Sequence, residues 1–189
     1  MIKIGILGDI GSGKSYVAKN FGYPVFNADD EVGKLYKKNM KVFNKLKKKL
    51  PRYIHLFPIN KNEISRAILA NKSNLKKIIT IVHLEIRKKM NMFLKKNINK
   101  KIVILDIPLL LENKINKKND VLVFVKSRKL DVLKRLKKRK NFSSKLLSKF
   151  KNIQLPLDYK EKKSQFIIKN DFSKKSVNEG IKKILKDIL

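Results

Sequence analysis

Apolar residues crowd into a few short runs separated by long lysine-rich stretches, and the spacing inside each run distinguishes strand from helix. Ile2, Ile4, Ile6 and Leu7 form a β-branched-rich run that stops at Gly8, and helical spacing resumes after Lys14 with Val17, Ala18 and Phe21. The order is strand, glycine loop, helix. Tyr23 to Asn27 reads as a second short strand ending in the acidic cluster Asp29, Asp30 and Glu31, with Asp29 predicted as the N-cap of the next helix. From residue 39 to 97 no strand-like run occurs. Ile64, Ala67, Ile68, Ile78, Ile79, Val82, Ile86, Met90 and Phe93 follow helical spacing there, interrupted at Pro51, Pro58 and residues 71–74.

Dense apolar runs over Lys101–Ile107 and Val121–Val125 are of the kind buried on both faces of a parallel sheet. Between Ser127 and Arg139, Leu130, Leu133 and Leu136 are expected to form one helical face, and Arg135 and Arg139, four residues apart, another. Residues 140–164, polar and lysine-rich around Leu155-Pro156-Leu157, read as a mobile cover ahead of a last strand, Gln165–Lys169. A capping box from Ser176 to Glu179 is expected to open a closing helix with Val177, Ile181, Ile184, Leu185 and Ile188 on one stripe. Alternating strands and helices predict an α/β fold with a mainly parallel five-stranded sheet. The reading is a single domain with a core over 1–38, 98–139 and 165–189, a helical insertion over 39–97 and a lid over 140–164.

Composition narrows the chemistry. The 189 residues include 42% hydrophobic ones, enough for a substantial core, and carry a formal charge of +33. Such charge alone points to nucleic acid, an anionic membrane surface or a polyanionic small molecule. The lysines are spread along the chain, however, which is the distribution of compositional drift and not of a dedicated tail. There is no cysteine, so thiolate metal sites and a cysteine nucleophile are excluded, and only His55 and His83 offer imidazole. The opening apolar stretch is ended too soon by Asp9 to read as a signal peptide, and the Ile102–Leu111 segment falls short of a membrane span, so a cytoplasmic protein is expected.

The strongest local signal is Gly8-Asp9-Ile10-Gly11-Ser12-Gly13-Lys14-Ser15, which has the glycine, four-residue, Gly-Lys-Ser spacing of a phosphate-binding loop in its strand-then-helix context. Glycines let main-chain amides turn inward around phosphate oxygens, Lys14 reaches the β- and γ-phosphates, and the Ser15 hydroxyl ligates Mg²⁺. A chain with seven glycines places four of them at 5, 8, 11 and 13, in this loop and the strand that leads into it. The fold expected is therefore the three-layer P-loop NTPase arrangement, and the ligand is a nucleotide. The loop does not select among a small-molecule kinase, a GTPase-type switch and a nucleic-acid ATPase. Short length and the lack of an Asn-Lys-x-Asp signature after a strand favour a kinase.

Further motifs coincide in order and spacing, and through them the chain resembles the dephospho-CoA kinase family over almost its full length. They are the glycine loop, Asn27-Ala28-Asp29, His83-Leu84-Glu85-Ile86-Arg87, Pro108-Leu109-Leu110-Leu111-Glu112, the arginines of 135–139, and Gln154-Leu155-Pro156-Leu157 followed by Lys160, Phe166-Ile167-Ile168 and Asn170. The resemblance implies transfer of the ATP γ-phosphoryl group to the ribose 3′-hydroxyl of dephospho-CoA. It implies that ATP lies on Gly8, Ile10, Gly11, Ser12, Gly13, Lys14, Ser15 and Tyr16, with Ser15 as the Mg²⁺ ligand. The acceptor would meet Asp29, His83, Arg87, Pro108, Leu109 and Glu112, with Asp29 as base and Lys14, Arg135 and Arg139 stabilising charge on the transferring phosphate.

Simpler roles stand beside these: a helix cap for Asp29, a solvated helix face for the arginines, a structural histidine at 83, and a cap or surface acid for Asp106 and Glu112. Asp9, Tyr16, Asn27 and Leu84 depart from the family pattern of glycine, threonine, aspartate and proline. Two other readings use the same loop. One is a P-loop kinase of nucleoside monophosphates or another small metabolite; the other is a basic nucleic-acid-binding ATPase, for which no RNA-binding aromatic signature is present.

Overall fold

All five apolar runs become strands of one sheet. The computed structural model describes residues 1–139 and 142–189; residues 140 and 141, where the expected lid begins, lie outside the described residues. In chain order the strands are β1 (Ile2–Gly8), β2 (Val25–Asn27), β3 (Ile102–Asp106), β4 (Val121–Lys126) and β5 (Phe166–Lys169). The helices are α1 (Lys14–Asn20), α2 (Ala28–Lys38), α3 (Met40–Lys49), α4 (Lys61–Ala70), α5 (Lys72–Lys96), α6 (Lys129–Lys137), α7 (Ser144–Lys151), α8 (Leu157–Lys162) and α9 (Lys174–Ile188). The sheet order is β2-β3-β1-β4-β5, and every pairing is parallel. β1 is central, with Ile4 opposite both Ile104 and Val121.

The chain divides into two compact units. The first comprises Met1–Asn27, Asn97–Phe142 and Ile153–Leu189 and holds the sheet. Strand alternation sends Ile4, Ile6, Ile102, Ile104, Val123, Val125 and Ile168 to one face, where they join Val17, Ala18 and Phe21 of the α1 region and Val177, Ile181 and Ile184 of α9 in a single buried cluster. Each fully buried isoleucine or leucine contributes about 1.5–3 kcal/mol of transfer free energy, so this face is a main source of the unit's stability. Gly5 lies on the opposite side of β1, where a Cβ would collide with Leu110 and Leu122. The absence of a side chain there lets the segment after β3 pack on the sheet.

The second unit comprises Ala28–Lys96 and Ser143–Asn152. Its spine is α5, against which α2, α3 and α4 pack, while α7 packs on α4. The interruption expected over 71–74 shrinks to Asn71, because Asn74 is buried inside α5 and donates its amide to the Ala67 carbonyl at 2.9 Å. Burial pushes the Tyr36 hydroxyl well above the ordinary tyrosine range, so it is neutral throughout the physiological pH range.

Four further local expectations change. Asp29 is not the N-cap: α2 begins at Ala28, and Asp29, Asp30 and Glu31 fill its first turn, where negative charge complements the helix dipole. On α6 the buried residues are Val132 and Leu136, while Leu130 and Leu133 are exposed. The inward face is set by contact with the phosphate loop, since a Cβ at Gly11 would collide with those two residues. Helix α9 starts at Lys174 with Ser173 as N-cap, its hydroxyl accepting from the Ser176 amide at 3.2 Å, so the Ser176–Glu179 box lies one turn late. Residues 143–163, expected as a mobile cover, contain two short helices, and α8 buries a lysine, Lys160, at 1% exposure. Among the described residues no helix is long and apolar enough to cross a membrane.

Candidate active site

The loop between β1 and α1 is a main-chain structure. Gly11 and Gly13 have φ of 86° and 90°, in the left-handed region that a side chain disfavours. At Gly13 a Cβ would also strike the Asn170 amide nitrogen, so space and backbone conformation both demand glycine. Ser12, at 1% exposure, accepts two hydrogen bonds on its carbonyl: from Asn170 Nδ2 at 2.8 Å and from Ser127 Oγ at 3.0 Å. Its own hydroxyl is buried with no partner among the described residues. Lys14 folds back over the loop, Nζ donating to the Asp9 carbonyl at 2.7 Å and the Gly8 carbonyl at 3.2 Å. Asp9, the departure that put a carboxylate beside the loop, accepts from the Ile10 amide through Oδ1 at 2.7 Å. Ser15 and Tyr16 are exposed in the first turn of α1.

Two elements from the far end of the chain close around this loop. Helix α6 packs on Gly11 through Val132 and Leu136, which brings the adjacent Arg135 to Phe172, its guanidinium 4.3 Å from the ring centroid. Phe172 adopts φ of 70°, a strained conformation for a non-glycine residue, and its amide donates to Asn170 Oδ1 at 2.9 Å. Asn170 thus holds the phosphate loop with one end of its carboxamide and the Phe172 turn with the other. Arg139 does not share a helix with Arg135 as its spacing suggests: α6 ends at Lys137, and Arg139 sits in a turn with its amide on the Leu136 carbonyl at 3.1 Å. The lysines of the last helical turn complement its carbonyl end, and the chain tightens before the expected fourth residue.

At the carboxyl end of β3, Asp106 is buried, and its Oδ2 accepts from Asn27 Nδ2 at 2.6 Å across a register pair. A neutral donor at 27 suits a carboxylate at 106; an aspartate there would set two like charges face to face. The segment that follows carries Pro108 and Leu109, both half-buried, and Glu112. Glu112 Oε1 accepts from Lys160 Nζ at 2.6 Å and from the Leu155 amide at 3.0 Å, while Oε2 is buried without a partner among the described residues. This carboxylate therefore ties the segment after β3 to the start of α8.

The remaining expected residues belong to the helical unit. Asp29 is exposed in the first turn of α2, and His83 and Arg87 lie one turn apart on α5, the histidine half-buried and the arginine exposed. The sequence reading missed Ser127 and Phe172 and took Asn170 only as part of a motif. No periodicity marks a polar contact between residues 115 or 158 positions apart.

Residues 2–176 match the dephospho-CoA kinase family. The dephospho-CoA kinase of Wolbachia pipientis wMel is 33% identical over 187 residues, spanning 96% of this chain and 95% of its own length. That of Bartonella quintana is 28% identical over 191 residues, spanning 98% and 97%. Among solved structures, a Thermus thermophilus protein superposes with a TM-score of 0.80 at 24% identity, covering 100% of this chain and 98% of its own. Campylobacter jejuni dephospho-CoA kinase does so with a TM-score of 0.61 at 22% identity, covering 98% and 96%. At those identities the structural likeness speaks to the fold.

Proposed function

Because the chain belongs to the dephospho-CoA kinase family, and so is an ATP-dependent kinase, we propose that it transfers the γ-phosphoryl group of ATP to the ribose 3′-hydroxyl of dephospho-CoA. The observation that carries this reading is the phosphate loop, with left-handed glycines at 11 and 13, Lys14 lying over its carbonyls and Arg135 held by Phe172. In this reading Gly8 and Ile10 to Tyr16 hold the nucleotide phosphates. Lys14 exchanges the carbonyls of Gly8 and Asp9 for β- and γ-phosphate oxygens, which are stronger acceptors for an ammonium.

Asp29 accepts the proton of the attacking hydroxyl, and Arg135 and Arg139 offset charge on the transferring group and hold the adenine end of ATP. His83, Arg87, Pro108 and Leu109 bind the acceptor. Glu112 has one oxygen committed to Lys160 and Leu155, so its share in acceptor binding rests on Oε2. Ser15, exposed at the start of α1, is a hard oxygen donor of the kind Mg²⁺ takes together with phosphate oxygens, and would hold that ion. When bound, Mg²⁺ supplies positive charge to the β- and γ-phosphates. Residues 140–164 serve as the lid in this reading, and a cytoplasmic setting follows from the supply of ATP.

The direct test is mass-spectrometric detection of CoA after incubation with ATP, Mg²⁺ and dephospho-CoA. Wild-type protein is expected to form CoA and Lys14→Ala none. Turnover of a nucleoside monophosphate but not of dephospho-CoA would replace this function with that of another small-metabolite kinase.

A further inference from the structure

The Ser12–Gly13 peptide is held by two side chains that belong neither to the loop nor to the residues assigned above to nucleotide, metal or acceptor. A trans peptide is planar, and its C=O and N–H point in opposite directions. Both acceptor positions of the Ser12 carbonyl are taken, by Asn170 Nδ2 at 2.8 Å and Ser127 Oγ at 3.0 Å. The carbonyl is thereby drawn toward β5 and the end of β4, and the Gly13 N–H is directed the opposite way. A carbonyl facing an anion repels it, whereas an N–H attracts it, so the orientation of this one peptide changes the sign of the loop's field at that point.

We propose that Asn170 and Ser127 are positioning residues that fix the Ser12–Gly13 peptide with its amide toward the phosphate chain of the nucleotide. This rests on the reading of the loop as a nucleotide site but not on the identity of the acceptor. Asn170 suits the task better than a longer or charged residue would. It is 3% exposed, its Nδ2 occupies the space where a Gly13 side chain would stand, and its Oδ1 is already used by the Phe172 amide at 2.9 Å. The carboxamide therefore needs a donor on one end and an acceptor on the other. An aspartate has the same shape but no donor, and it would set a carboxylate against the Ser12 carbonyl.

The test compares wild type, Asn170→Asp and Ser127→Ala by calorimetric binding of ADP and of inorganic tripolyphosphate, together with KM values for both substrates. Asn170→Asp is expected to weaken both ligands by about tenfold or more, the scale of a hydrogen bond replaced by a repulsive contact, and Ser127→Ala by about fivefold, the scale of one neutral hydrogen bond. The KM for ATP rises in parallel while that for dephospho-CoA stays within about twofold; the small limit reflects a peptide that contacts no acceptor atom. Weakened ADP binding with unchanged tripolyphosphate binding would overturn the proposal, because the pair would then act through Phe172 and the base. Unchanged binding of both would overturn it equally. Ser127→Ala carries the same comparison should Asn170→Asp fail to fold. Wild-type protein that binds both ligands but forms no CoA refutes the acceptor assignment and leaves this inference standing.

Discussion

The phosphate loop and the segment after β3 are both tied to distant parts of the chain, but with opposite chemistry. At the loop the tie is neutral: amide and hydroxyl donors from Asn170 and Ser127 on a main-chain carbonyl. At Glu112 the tie is ionic, a carboxylate and an ammonium at 2.6 Å with Lys160 at 1% exposure. Neutral ties leave the loop's electrostatics to Lys14 and the amides, whereas a buried ion pair spends its charge on the scaffold. Where a charge is to act on a ligand, structure around it is held by uncharged groups; where a charged oxygen is committed to a partner, as Glu112 Oε1 is, it holds structure instead.

The largest expected effect breaks the ionic tie. Lys160→Ala leaves the largely enclosed Glu112 carboxylate without its ammonium partner and should lower the unfolding free energy by about 3 kcal/mol, read from urea denaturation. Replacing both partners, Glu112→Leu with Lys160→Met, should recover most of that loss. A Lys160→Ala protein as stable as the parent would show that the pair is not structural.

A smaller effect is expected from the carboxylate in the first turn of α2. Asp29→Asn should lower turnover by about a hundredfold, equivalent to about 2.7 kcal/mol of barrier, with ATP affinity and melting temperature unchanged. Wild-type turnover in this variant would move the base to another residue.

The smallest effect concerns Asp171, beside Asn170 but exposed. The Ser176 hydroxyl, with lesser help from the Ser173 amide and hydroxyl, lowers its pKa to about 2. A lowered folded-state value means that its contribution to stability is present above the ordinary carboxylate range and fades as pH falls toward about 2. NMR titration should find Asp171 ionised at pH 3, and Ser176→Ala should return it toward the ordinary value.

Strands β3 and β4 were legible because they are near-continuous apolar runs rich in β-branched residues and buried on both faces. The phosphate loop was legible because left-handed backbone and close packing leave glycine as the one choice at two positions. The inward face of α6 was not, since leucine spacing suggested a stripe through Leu130 and Leu133, and contact with Gly11 selected Val132 and Leu136 instead. Helices α7 and α8 escaped notice because each is short and lies in a lysine-rich stretch, and the burial of Lys160 depends on a partner the local sequence does not reveal. Asn170 shows the same limit: asparagine near a turn reads as a turn former, and its grip on Ser12 exists only after the chain has folded.

The parallel sheet with β1 at its centre bears on how the chain is made. Ile2 pairs with Ile102 and Ile4 with Val121, so both neighbours of this apolar strand are translated about 100 residues after it. At about 5–20 residues per second, the strand waits roughly 5–20 s at the ribosome with its edges open. During that interval helices α2 to α5 can form from local contacts while the phosphate loop has no scaffold, so nucleotide recognition should be among the last properties a nascent chain acquires.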